Sequence, residues 1–421
     1  MAKTVFVGMS GGVDSSVSAL LLKEQGYNVV GVYMKNWSED LPGMKCPWAE
    51  DLADAKRVAV KLGIDFKVFD FEKEYREKVV EYMLAEFKKG NTPNPDIMCN
   101  QEIKFKLFYE KAMEEGADFI ATGHYARTLW LEEGTDHSST RSARPVVTGE
   151  PSLIPLLVSR VRSQNGGIPL LARAMDENKD QTYFLYRISD EALAHTIFPI
   201  GGMMKPEVKK LAAERGLHNA YKKESMGVCF VGEVGMKDFL KEYIDIEPGE
   251  IREIESEKVL GYHEGAVFYT IGQRHGLYLN GVAGEVNDGL PYYVVAKDLK
   301  KNIVYVSKNL NDEHIWTDEL EIKDIVLRQS QPSDSRLARS GPSLRADLRS
   351  FRSSLVAYGR KSEIEIAVRL RHRAPLIPAK ITLGKNNTAV LKFENKIKRP
   401  AAGQSAVIYD GEICLGGGII K

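Results

Sequence analysis

The feature that most constrains this chain lies at its N-terminus. An apolar run, Thr4-Val5-Phe6-Val7, leads into Ser10-Gly11-Gly12-Val13-Asp14-Ser15-Ser16 and then into a helical pattern over Ser15–Gln25. Glycines let a backbone turn tightly and bring its N–H groups against an anion. Ser15 and Ser16 open the helix, whose N-terminus adds partial positive charge. Strand, anion-binding turn and helix in that order begin an α/β domain. The rest of the first 130 residues keeps the rhythm, with strand Val29–Met34, helix Ala49–Leu62, strand Phe66–Phe69, a helix near Lys104–Glu115 and strand Phe119–Thr122. Strands alternating with helices of this length predict a parallel sheet.

The loop lacks the lysine of G-x-x-x-x-G-K-[ST], so it is not a Walker loop, and it lacks the G-x-G-x-x-G of a dinucleotide fold. S-G-G-x-D-S in this position resembles the pyrophosphate loop of ATP pyrophosphatases. Those enzymes cleave ATP between the α- and β-phosphates and adenylate a substrate oxygen. The resemblance implies an ATP site.

At 421 residues the chain is too long for one core, and two or three domains are expected. From Gly261 onward the pattern turns to short β-rich runs: Val267–Ile271, Tyr292–Ala296, Ile303–Val306, Ile364–Leu370, Ala379–Leu383, Ala389–Phe393 and Ala406–Tyr409. Evenly spaced short strands suggest a small barrel or sandwich. The expected order is an α/β catalytic domain over 1–234, a small central domain over 235–300 and a C-terminal β-barrel over 301–421. Thr135–Pro169 and Arg328–Lys361 are rich in Ser and Arg and almost free of Lys, which marks them as inserted material. They read either as surface loops or as extra RNA-contacting arms.

Lys and Arg total 58, matched by 58 Asp and Glu, so any RNA contact must come from a local patch. Arg328–Arg373 offers one, with eleven Lys/Arg against four Asp/Glu; arginine forks suit an RNA backbone. No run of eighteen apolar residues and no signal peptide is present, so a cytoplasmic protein without membrane contact is expected.

Four cysteines, Cys46, Cys99, Cys229 and Cys414, stand without a C-x-x-C pair, against a zinc knuckle or a disulfide scaffold. No metal-ligating set is expected. Cys46 and Cys414 read as structural. Cys99 follows Asn94-Pro95-Asp96 just before a helix, whose dipole favours thiolate. Cys229 lies in Gly227-Val228-Cys229-Phe230, after Lys222-Lys223, in a segment too polar for a core strand.

With these residues in place, the chain resembles the bacterial tRNA-specific 2-thiouridylase family almost from end to end. Gly8-Met9-Ser10-Gly11-Gly12-Val13-Asp14-Ser15 matches its ATP loop, and Met34 its adenine contact. Thr92-Pro93-Asn94-Pro95-Asp96 with Cys99 is similar to its target-base and nucleophile motif. Gly123 and His124 resemble a second ATP and tRNA contact. Lys179-Asp180-Gln181 resembles a tRNA-interacting stretch, and Cys229 the persulfide cysteine. Arg371, His372 and Gln404 fall where the family contacts tRNA. Two departures stand out: Met226 replaces the common Thr, and His372 replaces the usual Tyr. The two Ser/Arg-rich segments are also outside the family pattern.

The resemblance implies 2-thiolation of the wobble uridine of tRNA with ATP and Mg²⁺. The C2 oxygen would be adenylated, and a persulfide on Cys229, loaded by a sulfur relay protein or cysteine desulfurase, would supply sulfur. Cys99 would release that sulfur as hydrosulfide or through a Cys99–Cys229 disulfide, with Asp96 as acid or base. Two other readings keep the loop: an adenylating amidotransferase or ligase, and a tRNA-binding protein with a vestigial ATP site.

Overall fold

The computed structural model describes residues 2–40, 48–131, 168–222, 236–277, 279, 290–309, 315–328 and 364–421. Cys46, Cys229 and nearly all of both Ser/Arg-rich segments lie outside them.

The first sheet has five strands in the order Asp65–Asp70, β2 (Asn28–Lys35), β1 (Thr4–Gly8), Phe119–Thr122 and Thr196–Ile197, all parallel. Its faces are legible in β1, because strand side chains alternate. Val5 and Val7 enter a core with Val17, Leu21 and Leu211, from α1 (Val13–Glu24) and the helix Lys205–Glu214. Phe6 points the other way, into a core with Phe69, Ile103, Phe105 and Phe108. Burial on both faces is what a parallel sheet requires.

Strand order runs outward in both directions from β1. The crevice between β1 and Phe119–Thr122, at their C-terminal ends, is therefore a topological switch point, the usual ligand position in such sheets. Ser10-Gly11-Gly12 leaves one of those strands and Gly123 leaves the other.

The central unit begins with the helix Met236–Tyr243, whose Phe239 packs edge-on to Trp37 of the first domain, ring centroids 6.4 Å apart. Its sheet runs Tyr293–Asp298, Ile303–Ser307, Gly249–Glu253, Val259–His263 over a core of Ile251, Val294, Val304 and Val306. Two sequence expectations are corrected here. Ile303–Ser307 pairs within this sheet, so the unit reaches beyond the expected division at 300. Val267–Ile271 is not a strand; a short 3₁₀ turn, Ala266–Phe268, lies there and buries Ala266.

The C-terminal sheet runs Trp316–Leu327, Thr388–Lys398, Ile377–Leu383, Ile364–Arg369, Ser405–Asp410, Ile413–Ile420, and closes because the first of these strands also pairs with the last. Leu320, Ile322, Val368, Ile381, Leu391 and Ile408 fill it. An antiparallel strand pair of the first domain, Ala126–Leu131 with Ile168–Arg173, meets the last of these strands through Ala172 and Ile413. Among the described residues no helix is long and apolar enough to cross a membrane.

Candidate active site

The loop after β1 is held from three sides. Ser15 Oγ accepts from the Ser10 N–H at 3.2 Å and donates to the Gly12 carbonyl at 3.2 Å, while Ser16 Oγ donates to the same carbonyl at 2.9 Å. Asn219 donates to the Gly11 carbonyl at 2.9 Å and to Ser16 Oγ at 2.8 Å. Gly11 has φ of 76°, and a side-chain carbon there would come within 2.5 Å of the Asp51 carbonyl oxygen. Gly123 closes the crevice from the other strand: a Cβ there would lie 2.6 Å from the Ser15 nitrogen. Met34, at the end of β2, brings its methyl to 2.9 Å from where a Cβ of Gly8 would be. Met9 and Val13 are core residues that anchor the two ends of the loop. Glycine is thus required where backbone meets backbone, which leaves main-chain N–H groups to face an anion.

Asp14 carries the main charge of the loop, and it is not solvated freely. Lys205 Nζ lies 2.7 and 2.8 Å from its two oxygens, and Tyr125 Oη donates to it at 3.0 Å. Sequence reading missed Lys205, Tyr125 and Asn219. Pro206 marks a helix start, but nothing in the sequence pairs that helix with a loop 191 residues earlier.

Asn94 caps the helix Pro95–Met98, its Oδ1 accepting from the N–H groups of Asp96 at 3.1 Å and Ile97 at 3.4 Å, with Pro95 at the first helical position. The helix continues from Cys99 to Leu107 with π-type hydrogen bonds, a form that recurs at functional sites. Cys99 therefore sits inside the helix rather than ahead of it, a correction to the sequence reading. It is 1 % exposed, in the core with Ile103 and Phe105.

The remaining expected residues divide by environment. His124 is buried beside Phe105, its Nδ1 2.8 Å from Thr122 Oγ1, and burial, reinforced by Lys104, holds it neutral, well below the usual histidine range. Asp180 is 1 % exposed. It accepts from Arg369 at 2.5 Å, from Thr182 Oγ1 at 2.9 Å and from the Ala174 N–H at 3.2 Å. Gln181 clamps the Tyr125 backbone, accepting its N–H at 2.8 Å and donating to its carbonyl at 2.9 Å. Lys179, just ahead of them, is half-buried. Arg371 is exposed on the barrel, and His372 packs against Phe184, ring centroids 4.6 Å apart and tilted, with burial, and then Arg373, pushing it down to about 4. Gln404 donates to the Thr92 carbonyl at 2.8 Å.

Cys229 lies outside the described residues, but the chain entering its stretch is fixed beside the loop. Lys222 Nζ reaches Asp51 at 2.8 Å and Asp54 at 2.6 Å, on the helix Trp48–Leu62. Among the described residues no group of three or more metal-ligating side chains occurs.

A parallel sheet with a glycine- and serine-lined loop at its switch point defines an α/β domain of the nucleotide-binding kind. Comparison with known proteins narrows this. Residues 3–233 match the family model described as tRNA methyl transferase HUP domain, 237–308 the corresponding PRC-barrel domain, and 347–420 an aminomethyltransferase β-barrel domain. A tRNA-specific 2-thiouridylase MnmA of Listeria monocytogenes serotype 4b (strain CLIP80459) is 41% identical over 416 residues, 99% of this chain and 94% of the relative. One from Idiomarina loihiensis is 40% identical over 423 residues, 100% and 96% respectively. A crystal structure described as a predicted subunit of tRNA methyltransferase, from Methanocaldococcus jannaschii, matches at 23% identity and a TM-score of 0.21, over 29% of this chain and 52% of its own. The chain belongs to the tRNA-specific 2-thiouridylase family.

Proposed function

We propose that this protein uses ATP and Mg²⁺ to replace the C2 oxygen of the wobble uridine of tRNA with sulfur. The observation that carries the reading is the anion cradle at Ser10–Ser16, in a chain that aligns with 2-thiouridylases over nearly its whole length. With no ligand cluster among the described side chains, Mg²⁺ would arrive bound to the phosphates, as that ion commonly does.

A uridine carbonyl oxygen is a poor leaving group. Attack by the C2 oxygen on the α-phosphorus expels pyrophosphate and leaves an O-adenylated base, from which AMP departs readily. Main-chain N–H groups of the loop would stabilise charge on the phosphates, and Met34 would contact the adenine. A donor protein would load sulfur on Cys229 as a persulfide. Its terminal sulfur attacks C2 and AMP leaves. The Cys99 thiolate then attacks the Cys229 sulfur, freeing the thiocarbonyl and forming a Cys99–Cys229 disulfide that a cellular thiol must reduce. In the variant order, Cys99 attacks first and releases hydrosulfide, which displaces AMP. Asp96, beside Asn94 and Pro95, would move the proton. The flipped uridine would be read in single-stranded form by this segment, and the tRNA body by Lys179, Arg371, His372 and Gln404. His124, Asp180 and Gln181, being buried or clamped, would support that surface from beneath.

The cradle after β1 suits a pyrophosphate and adenylation rather than methyl transfer. Incubation with ATP, Mg²⁺, a persulfide donor and unmodified tRNA, followed by mass spectrometry of nucleosides, should reveal 2-thiouridine. A Cys229→Ala variant should yield none under donor supply. Absence of thiolation with the unaltered chain would overturn the proposal, and AMP release without thiolation would favour an amidotransferase or ligase.

A further inference from the structure

Residues 90–94, which lead into the Asn94 cap and Cys99, are gripped by all three structural units. Within the first domain, Asn91 is tied to Glu86 by its N–H at 3.0 Å and its amide at 2.7 Å. From the central unit, Lys297 Nζ donates to the Gly90 carbonyl at 3.0 Å, and Leu299 packs so close that a Cβ on Gly90 would meet it at 2.5 Å. From the barrel, the Thr92 N–H donates to the Ala402 carbonyl at 2.7 Å, and Gln404 donates to the Thr92 carbonyl at 2.8 Å. Gly403 has φ of 90°, and a side chain there would strike Asn91 at 2.9 Å and the Thr92 nitrogen at 3.0 Å.

Three of these ties end on main-chain atoms of Gly90 and Thr92, so they fix the path of the backbone whatever side chains it carries. The path then passes without slack into a helix: Pro95 fixes its first φ, Asn94 seals its end, and Cys99 lies within the next turn. A narrow crevice lined by Asn94, Ile97, Met98, Tyr186, Gly403 and Ser405 runs beneath that turn, between it and the barrel. The turn therefore meets the barrel across a small gap, and its place is set by the backbone ties at Gly90 and Thr92.

We propose that Lys297, Gly403 and Gln404 are positioning residues for Cys99, holding its helix closed over the thiol from two other domains, so that displacement of either domain releases it. In the closed arrangement Cys99 is 1 % exposed, although sulfur transfer demands an accessible thiol. A tRNA seated against the barrel or the central unit would thus be sensed at Cys99. The proposal rests on the thiolation reading for its meaning, but its physical content is separate from activity.

The test uses the full chain. Alkylation of Cys99 by iodoacetamide is followed by peptide-resolved mass spectrometry in Lys297→Met and Gly403→Ala variants, with Lys385→Ala on a distant barrel turn as control. Cys414, fully buried in the core, reports global loosening. Cys99 labelling should rise about tenfold in both variants while Cys414 and the thermal midpoint hold, and the control should match the unaltered chain. As second readout, tRNA should raise Cys99 labelling of the unaltered chain towards that of the variants, whose labelling it should leave unmoved, a response that a merely structural role of Lys297 and Gly403 would not produce. Unaltered Cys99 labelling in both variants, or a rise only in step with Cys414, would overturn the proposal. Labelling as expected in a chain that thiolates nothing would instead overturn the functional reading alone.

Discussion

Lys205 places its ammonium 2.7 and 2.8 Å from both carboxylate oxygens of Asp14, joining the ATP-loop helix to a helix that starts 191 residues later. The lysine side chain is 7% exposed and the aspartate 29%. Removing either partner leaves a charge in a half-dry site, whereas removing both does not. Lys205→Met should therefore cost about 1–3 kcal/mol of stability and abolish ATP-dependent pyrophosphate release. The pair Lys205→Met with Asp14→Asn should recover most of the stability and none of the release. Calorimetry with a pyrophosphate assay decides, and additive losses in the double variant would contradict a coupled pair.

Gly123 tests the crevice by volume alone. A single methyl placed 2.6 Å from the Ser15 nitrogen and 2.8 Å from the Asp14 carbonyl carbon must push the loop away. Gly123→Ala should weaken ATP binding by tenfold or more, on the order of 1.4 kcal/mol, with circular dichroism unchanged. Titration with a non-hydrolysable ATP analogue measures it.

Lys179 and Asp180 are neighbours with opposite expected effects. Asp180 lies between Arg369 and Arg173 with almost no solvent contact, and Thr182 completes its shell. Asp180→Ala would strand those guanidinium groups, at about 3–5 kcal/mol, and should appear as loss of soluble protein or a large fall in Tm. Lys179→Ala should leave Tm unmoved and weaken tRNA binding with a shallower salt dependence. A tRNA defect without instability in the Asp180 variant would show that the aspartate contacts RNA itself.

Stability should fall as pH drops below about 6.5, before any carboxylate protonates. Burial lowers His124, His263 and His372 from the ordinary value of 6.5, the last to about 4. A base whose folded pKa is depressed stays neutral in the fold, while the unfolded chain takes up the proton. The stabilisation is therefore complete above 6.5 and is lost progressively towards pH 4, by at most about 1.4 kcal/mol per pH unit for each histidine. Carboxylates held low, such as Glu264 by Lys241 and Lys237, act in the same direction only nearer pH 4. A thermal midpoint that stays flat from pH 7 to 5 would refute this.

The sequence by itself determined the strand–loop–helix start, the parallel sheet, the barrel at the C-terminal end and the segment Asn94–Cys99. Each is local: glycines demanded by φ and close contact, alternation along Val5-Phe6-Val7, a proline and an asparagine that start a helix. What lay beyond it was decided by contacts between distant segments. Lys205 reads as an ordinary helix lysine until the fold sets it on Asp14. Asp180 and His124 read, by resemblance, as tRNA contacts until the barrel strand carrying Arg369, and Phe105, cover them. Cys99 reads as a thiol at a helix start, but the helix begins a turn earlier and buries it. Only the tertiary structure brings Gly90, Lys297 and Gly403 to one junction. Their ties run through backbone carbonyls and N–H groups, which every residue carries alike, so side-chain identity leaves no trace of them.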